Sequence, residues 1–248
     1  MTNAIEGRNR FWEVDALRGM AVAAMVFFHF MWDLWYFGLT TQDVGSPPWQ
    51  HFARAIGGTF IFVMGVAVAI RSSRTGPPVG PWLARRALIL LGLAALISIG
   101  TAVFAGDAWV RFGILHQAGL AMVLVIPFVK VPAGWNAAIG ASLFALGLWL
   151  NTLSTPTPWL LPVGVPQAGV AMLDYYPLLP WFGLVLAGLA AGRTLYPGGG
   201  ARFRIPDLSG SPVTRGLGWL GRHSLAVYVI HQPVLIGLLL AARGAGVV

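Results

Sequence analysis

The sequence has no cysteine, a single lysine and only eight acidic side chains among its 248 residues. Without thiols there are no disulfides, thiolate metal sites or cysteine nucleophile, and the compartment stays open. Charge is scarce, at 10% of residues against 57% hydrophobic, and mean hydropathy is +0.73. Such a chain is too apolar to hide its surface in one soluble core and reads as an integral membrane protein. The alternating ten-residue segments of a membrane barrel are also missing. The apolar runs are instead continuous over about 17 to 25 residues, which predicts an all-α, polytopic transmembrane helical bundle forming a single domain over residues 1–248.

Fifteen of the sixteen basic residues are Arg, and the net charge is +8. They gather in short segments between apolar runs, which is the positive-inside pattern of a membrane protein and speaks against a nucleic-acid partner. Seven spans are expected, near residues 13–37, 52–70, 84–105, 112–129, 135–152, 178–195 and 217–241. With the N-terminus cytoplasmic, the inner segments hold Arg8, Arg10, Arg71, Arg74, Arg85, Arg86, Lys130, Arg193, Arg202, Arg204, Arg215 and Arg222. The outer ones hold little beyond Arg111 and Arg243, so the chain is oriented N-in and C-out. The first run is too long, and lacks the small-residue cleavage site, for a removed signal peptide, and is read as a retained helix. The outer connection from Asn151 to Pro177 is long and partly apolar, as a functional or interfacial loop would be. Gly188 and Gly192 form a GxxxG pattern suited to close helix packing.

The first run, WEVDALRGMAVAAMVFFHFMWDLWYFG, carries Asp15, Arg18, His29 and Asp33. Each ionisable group at the bilayer centre costs roughly 2.5 kcal/mol or more. At about 100° per residue, with Asp15 at zero, Arg18 falls near −60°, His29 near +40° and Asp33 near 0°, so all four share one face. That face must line the bundle interior or a water-filled cavity. Arg18 and His29 lie about 16 Å apart along the axis, which joins the cytoplasmic end to the outer half. Asp33, one turn beyond His29, is placed to accept a hydrogen bond from the imidazole, the arrangement of a general base with its orienting carboxylate. The structural alternative is an Asp15–Arg18 ion pair together with a self-satisfying His29–Asp33 pair.

His116 in RFGILHQAG and His231 in YVIHQP, three residues after Tyr228, are expected at the depth of His29. Three isolated histidines without HxxxH or HExxH spacing do not predict a metal site. At the cytoplasmic end, Arg71 and Arg74, Arg85 and Arg86, and Arg222 with His223 gather near Arg18. Guanidinium groups bind phosphate in bidentate fashion, so such a ring suits a polyanionic cofactor, whereas topology signals and lipid-headgroup contacts are the plainer explanation. A proton-coupled transporter would also carry Asp, Arg and His along one helix, but no repeat or pair of interrupted helices supports it. A non-catalytic membrane scaffold is the other alternative.

The blocks VDALRGMAVAAMVFFHFMWDLWYFG, GTFIFVMGVAVA, VRFGILHQAGLAMVL, DYYPLLPWFGLVLAGLAAGR and LGRHSLAVYVIHQPVL resemble, in order and over nearly the whole chain, bacterial members of the heparan-alpha-glucosaminide N-acetyltransferase catalytic-domain family. The first block is also similar to the broader membrane acyltransferase family of type three, whose signature is Arg, ten residues, then His, as in Arg18 and His29. RSSR matches a basic pattern in some of those enzymes. The resemblance implies transfer of an acetyl or other acyl group from cytoplasmic acyl-CoA to an amine or hydroxyl of a sugar or glycan on the far side of a bacterial inner membrane. It makes His29 the catalytic base, with Asp33 orienting it. His116, Tyr228 or His231 would donate to the developing oxyanion. Arg18 and the cytoplasmic arginines, with Asp15, His223 and Ser224 bordering them, are the candidate acyl-CoA residues. Asp174 and Trp181 are candidates for holding the sugar by hydrogen bonding and ring stacking. No metal is expected, lipids are the surrounding partner, and self-association is left open.

Overall fold

The computed structural model describes residues 10–74, 78–203 and 206–247, so Arg8 and Arg204 lie outside the described residues. Among the described residues there are eight α-helices: α1 (Trp12–Tyr36), α2 (Pro47–Ser72), α3 (Val79–Phe104), α4 (Ile114–Leu124), α5 (Ala133–Leu150), α6 (Leu178–Leu195), α7 (Pro212–Arg222) and α8 (Ser224–Gly244). Six of them, α1, α2, α3, α5, α6 and α8, are long and apolar enough to cross a bilayer. The surface agrees with that reading. On α3, Leu88, Leu96, Ile99 and Val103 are 73%, 65%, 64% and 73% exposed. They fall on one stripe of the helix, which only lipid leaves without cost. The chain is a polytopic helical membrane protein.

The expected spans differ from the helices at two places. The fourth run becomes the eleven-residue α4 followed by a 3₁₀ turn, Ile126–Lys130. Pro127 lacks the N–H that the α-helical ladder needs there. The seventh run is broken at His223 into α7 and α8. α7 is amphipathic and rich in glycine, a composition for close backbone contact and not for a lipid-exposed span. His223 ends it, with the ring Nδ1–H donating to the Trp219 carbonyl at 2.8 Å.

The contacts divide the chain into two compact units, residues 1–60 with 205–248 and residues 61–204, so that α2 contributes to both. In the first unit, α1 carries Glu13 and Asp15 in its first turn, where negative charge suits the helix dipole. It ends in a Schellman turn: Leu39 N–H donates to the Leu34 carbonyl, Gly38 N–H to the Trp35 carbonyl, and Gly38 takes φ +72°. α7 packs on α1 backbone to backbone. Any side chain at Gly19 would strike the Leu217 carbonyl, and any at Gly221 the Asp15 carbonyl. Residue numbers rise along α1 as they fall along α7, so the two helices are antiparallel where they touch.

In the second unit the core is Ile61, Val68 and Ala69 of α2, Leu83 and Ala87 of α3, Ala121 and Met122 of α4, and Phe182, Val185, Leu186 and Leu189 of α6. The expected GxxxG contact is present: Gly188 lies on the Phe62 carbonyl, and Gly192 on Val66 and Ala69. The long connection between α5 and α6 is tied down, Thr155 bridging to Gln167 and Tyr175 to Phe112.

Candidate active site

In the first unit, α8 runs alongside the C-terminal half of α1 and brings two adjacent residues onto two residues one turn apart. His231 Nε2 stands 3.0 Å from His29 Nδ1, with ring centroids 4.8 Å apart. Gln232 Nε2 donates to Asp33 Oδ1 at 2.6 Å. His231 is 8% exposed and Asp33 1%.

The partners fix the proton positions. His231 Nδ1 faces the Tyr228 and Val227 carbonyls at 2.8 and 3.1 Å. A carbonyl only accepts, so this nitrogen carries a hydrogen. In neutral His231, Nε2 is then the acceptor, and His29 Nδ1–H must donate to it. Neutral His29 therefore keeps its lone pair on Nε2, the state required of a general base.

The expected His29–Asp33 hydrogen bond is corrected here. His29 Nδ1 is engaged by His231, and Asp33 is engaged by Gln232. The orienting partner of His29 is an imidazole from another helix. Asp33 Oδ2 and Gln232 Oε1 are buried and, among the described residues, have no hydrogen-bond partner. Sequence reasoning missed Gln232, although it sits beside His231 in IHQP, because the register between α1 and α8 decides which neighbour meets Asp33. Tyr228 lends a backbone carbonyl to His231, and its ring centroid is 5.9 Å from that imidazole.

At the other end of α1, Arg18 bonds Asp15 at 3.4 Å within the same helix. Gly221 is packed on the Asp15 backbone, and Arg222, His223 and Ser224 follow at the α7–α8 junction.

The second unit holds the remaining candidates. Arg71 is in the last turn of α2, and Arg74 lies just past it with its side chain against Gly199. Burial, and then the Arg71 charge, pull the Arg74 guanidinium below its ordinary pKa. Arg85 and Arg86 are in α3, and Arg86 sits 5.4 Å over the Trp82 ring. Arg193 is committed to the Val129 carbonyl.

His116 and Asp174 meet at the N-terminus of α4. Gly113 N–H donates to His116 Nδ1 at 3.2 Å and Ile114 N–H to Asp174 Oδ2 at 2.8 Å. His116 Nε2–H points at Ser98 Oγ, 3.4 Å away. The Ser98 hydroxyl itself donates to the Val110 carbonyl at 2.6 Å. Both His116 nitrogens are thus engaged, Nδ1 within this turn and Nε2 with Ser98 of α3. Burial pushes the Asp174 carboxyl up to about 6, against the lowering effect of the Ile114 bond. Trp181 packs on Tyr176, with centroids 4.8 Å apart. Among the described residues no group of three or more His, Asp or Glu side chains could hold a metal ion.

A half-buried His29 hydrogen-bonded to a buried His231 on a facing apolar helix, with one ring nitrogen left unused by these bonds, is the main polar contact between α1 and α8 of this helical membrane protein. Residues 10–233 match the family model described as heparan-alpha-glucosaminide N-acetyltransferase, catalytic, and the chain belongs to that family. The match runs through both units and takes in every candidate residue named above. The family makes the chain a transmembrane acetyltransferase in the broad sense. Neither the curated proteins nor the solved structures contain a match to it.

Proposed function

We propose that the chain moves an acetyl or other acyl group from cytoplasmic acyl-CoA to an amine or hydroxyl of a sugar or glycan on the far side of the membrane, with His29 as general base. The observation that carries this reading is the 3.0 Å contact that leaves His29 Nε2 basic, in a chain of an acetyltransferase family. His29 Nε2 takes the proton of the attacking nitrogen or oxygen as it adds to the thioester carbonyl. Its Nδ1–H is held by His231, whose own Nδ1–H is braced by two carbonyls, so positive charge formed at His29 is shared along the chain of bonds. His29 then returns a proton to the departing thiolate sulfur.

The candidate acyl-CoA residues of this reading are, in the first unit, Arg18 with Asp15 and Arg222 with His223 and Ser224, and, in the second unit taken by itself, Arg71 and Arg74 with Arg85 and Arg86. Support comes from the closeness of the Arg71 and Arg74 charges, which an anion would relieve. We assign His116 and Asp174 to the framework, as the N-terminal cap of α4, and keep Tyr228 and Trp181 as acceptor-side residues. The chain acts as one functional domain, oriented N-in, in a bacterial inner membrane.

The test is release of free CoA from acetyl-CoA by the detergent-purified protein, with and without glucosamine, beside His29→Ala. A chain without cysteine gives no background with a thiol reagent. Release that depends on glucosamine and falls at least about 100-fold in His29→Ala is the expected outcome. Equal release by the folded mutant would remove His29 from the mechanism.

A further inference from the structure

In the second unit α5 and α6 pair closely, with Gly140 and Gly183 each against the other's carbonyl and Gly147 on Pro180. Both helices are 18 residues long, whereas α3 of the same unit has 26. Polar contacts close the pair at each end. At one end the Asn151 side-chain amide donates to the Gly147 and Leu179 carbonyls at 2.7 and 3.4 Å. At the other, Asn136 donates to the Phe128 and Val131 carbonyls and Arg193 to the Val129 carbonyl, next to the exposed Lys130. From Asn136 to Asn151 α5 rises about 22 Å, and from Pro180 to Arg193 α6 rises about 20 Å. The hydrocarbon core of an ordinary bilayer is about 30 Å thick, and tilting a helix only lowers its reach.

The exposed face of α5 marks the same limits. Trp135 and Trp149, 66% and 58% exposed, stand near its two ends, about 21 Å apart along the axis. Tryptophan gathers at membrane–water boundaries, so the pair sets the two levels at which this face leaves the hydrocarbon. Between them the exposed side chains are small or apolar, as at Ala138, Ala141 and Leu146. The connection after α5 adds no height. It turns back so that Leu178 N–H donates to the Pro162 carbonyl at 2.8 Å and Gly164 lies on the Leu179 carbonyl, and the exposed Trp159 joins the aromatic rim at that end. We infer that the α5–α6 pair is a thin wall whose exposed α5 face takes phospholipid of short acyl chain and draws the two leaflets together. The inference is independent of the acyl-transfer reading, and under that reading a thin wall shortens the way between donor and acceptor sides.

The test places the full chain in vesicles of equimolar dimyristoleoyl and dierucoyl phosphatidylcholine, with a nitroxide quencher on the acyl chains of one lipid at a time. A single fluorophore is attached at Ala141→Cys on α5 or at Leu96→Cys on α3, both exposed positions, and circular dichroism checks that each labelled chain keeps its helices. At the α5 position the short-chain lipid is expected to quench at least about twofold more than the long-chain lipid, with no such preference on α3. Equal quenching on α5, a long-chain preference there, or the same short-chain preference on α3 would overturn the inference. So would an α5 probe that neither lipid quenches, which would make this face a contact between copies of the chain. A second measurement reads depth in dioleoyl phosphatidylcholine. Probes at Gly134→Cys, where nothing lies within 4 Å of an added side chain, and at the exposed Leu148→Cys should each be quenched more by a headgroup nitroxide than by one near the chain ends. The reverse order at either position would place the pair inside hydrocarbon of unaltered thickness and overturn the thin wall.

Discussion

At His231 the side chain matters through what it accepts and not through its charge. Its ring holds His29 in one tautomer, and any acceptor in the same place should do part of that task. His231→Ala is therefore expected to lower kcat by about 100-fold, within the range for mispositioned acid–base groups. His231→Gln, whose Oε1 can accept from His29 Nδ1–H, should recover a measurable part of the loss while KM for acyl-CoA stays unchanged. Equal kcat for the two variants would remove the tautomer argument. Asp174 gives a prediction about stability. Its carboxyl sits at about 6 in the folded chain against an ordinary 3.8. The folded state thus binds the proton more tightly, and Asp174 costs stability progressively as pH rises from about 4 through 6. Thermal melts between pH 4 and 7 should show a decline that Asp174→Asn removes, since the amide oxygen can still accept from Ile114 N–H. An unchanged slope in the variant would count against that assignment.

Helix by helix, glycine decides where backbones meet. Gly19 and Gly221 let α1 and α7 touch main chain to main chain. Gly19→Leu or Gly221→Val forces them apart and should cost at least about 1–3 kcal/mol, read as a lower melting temperature in detergent. Gly80 on α3 has nothing within 4 Å of the position a side chain would take, so Gly80→Ala is the matched control. The same contacts explain what was legible in the sequence. The long apolar runs marked six helices because lipid contact imposes a continuous signal. The break at His223 was hidden inside the seventh run, because a glycine-rich stretch suits a short helix pressed on a neighbour as well as it suits a span. The single face of α1 was legible from spacing alone. His29's true partner was not, because the residue opposite it depends on the register of a helix about 200 positions away.

For the molecule as a whole, α4 decides the topology. If α4 and the turn after it cross the bilayer, the segment between α5 and α6 lies outside; if they do not, it lies inside. The chain offers a clean test, because a cysteine introduced anywhere is the only one present. Thr157→Cys is exposed in the connection, and in intact cells it should react with a membrane-impermeant maleimide added outside. Protection until the cells are opened would reverse the sidedness of this loop.

The contacts His29–His231 and Asp33–Gln232 join residues 202 and 199 positions apart. During synthesis, α1 therefore enters the bilayer with a carboxylate and an imidazole whose partners do not yet exist, and it holds them unmatched until α8 arrives. On the proposed reading α8 thus completes the site and relieves α1, and a chain released before α8 is made is expected to free no CoA.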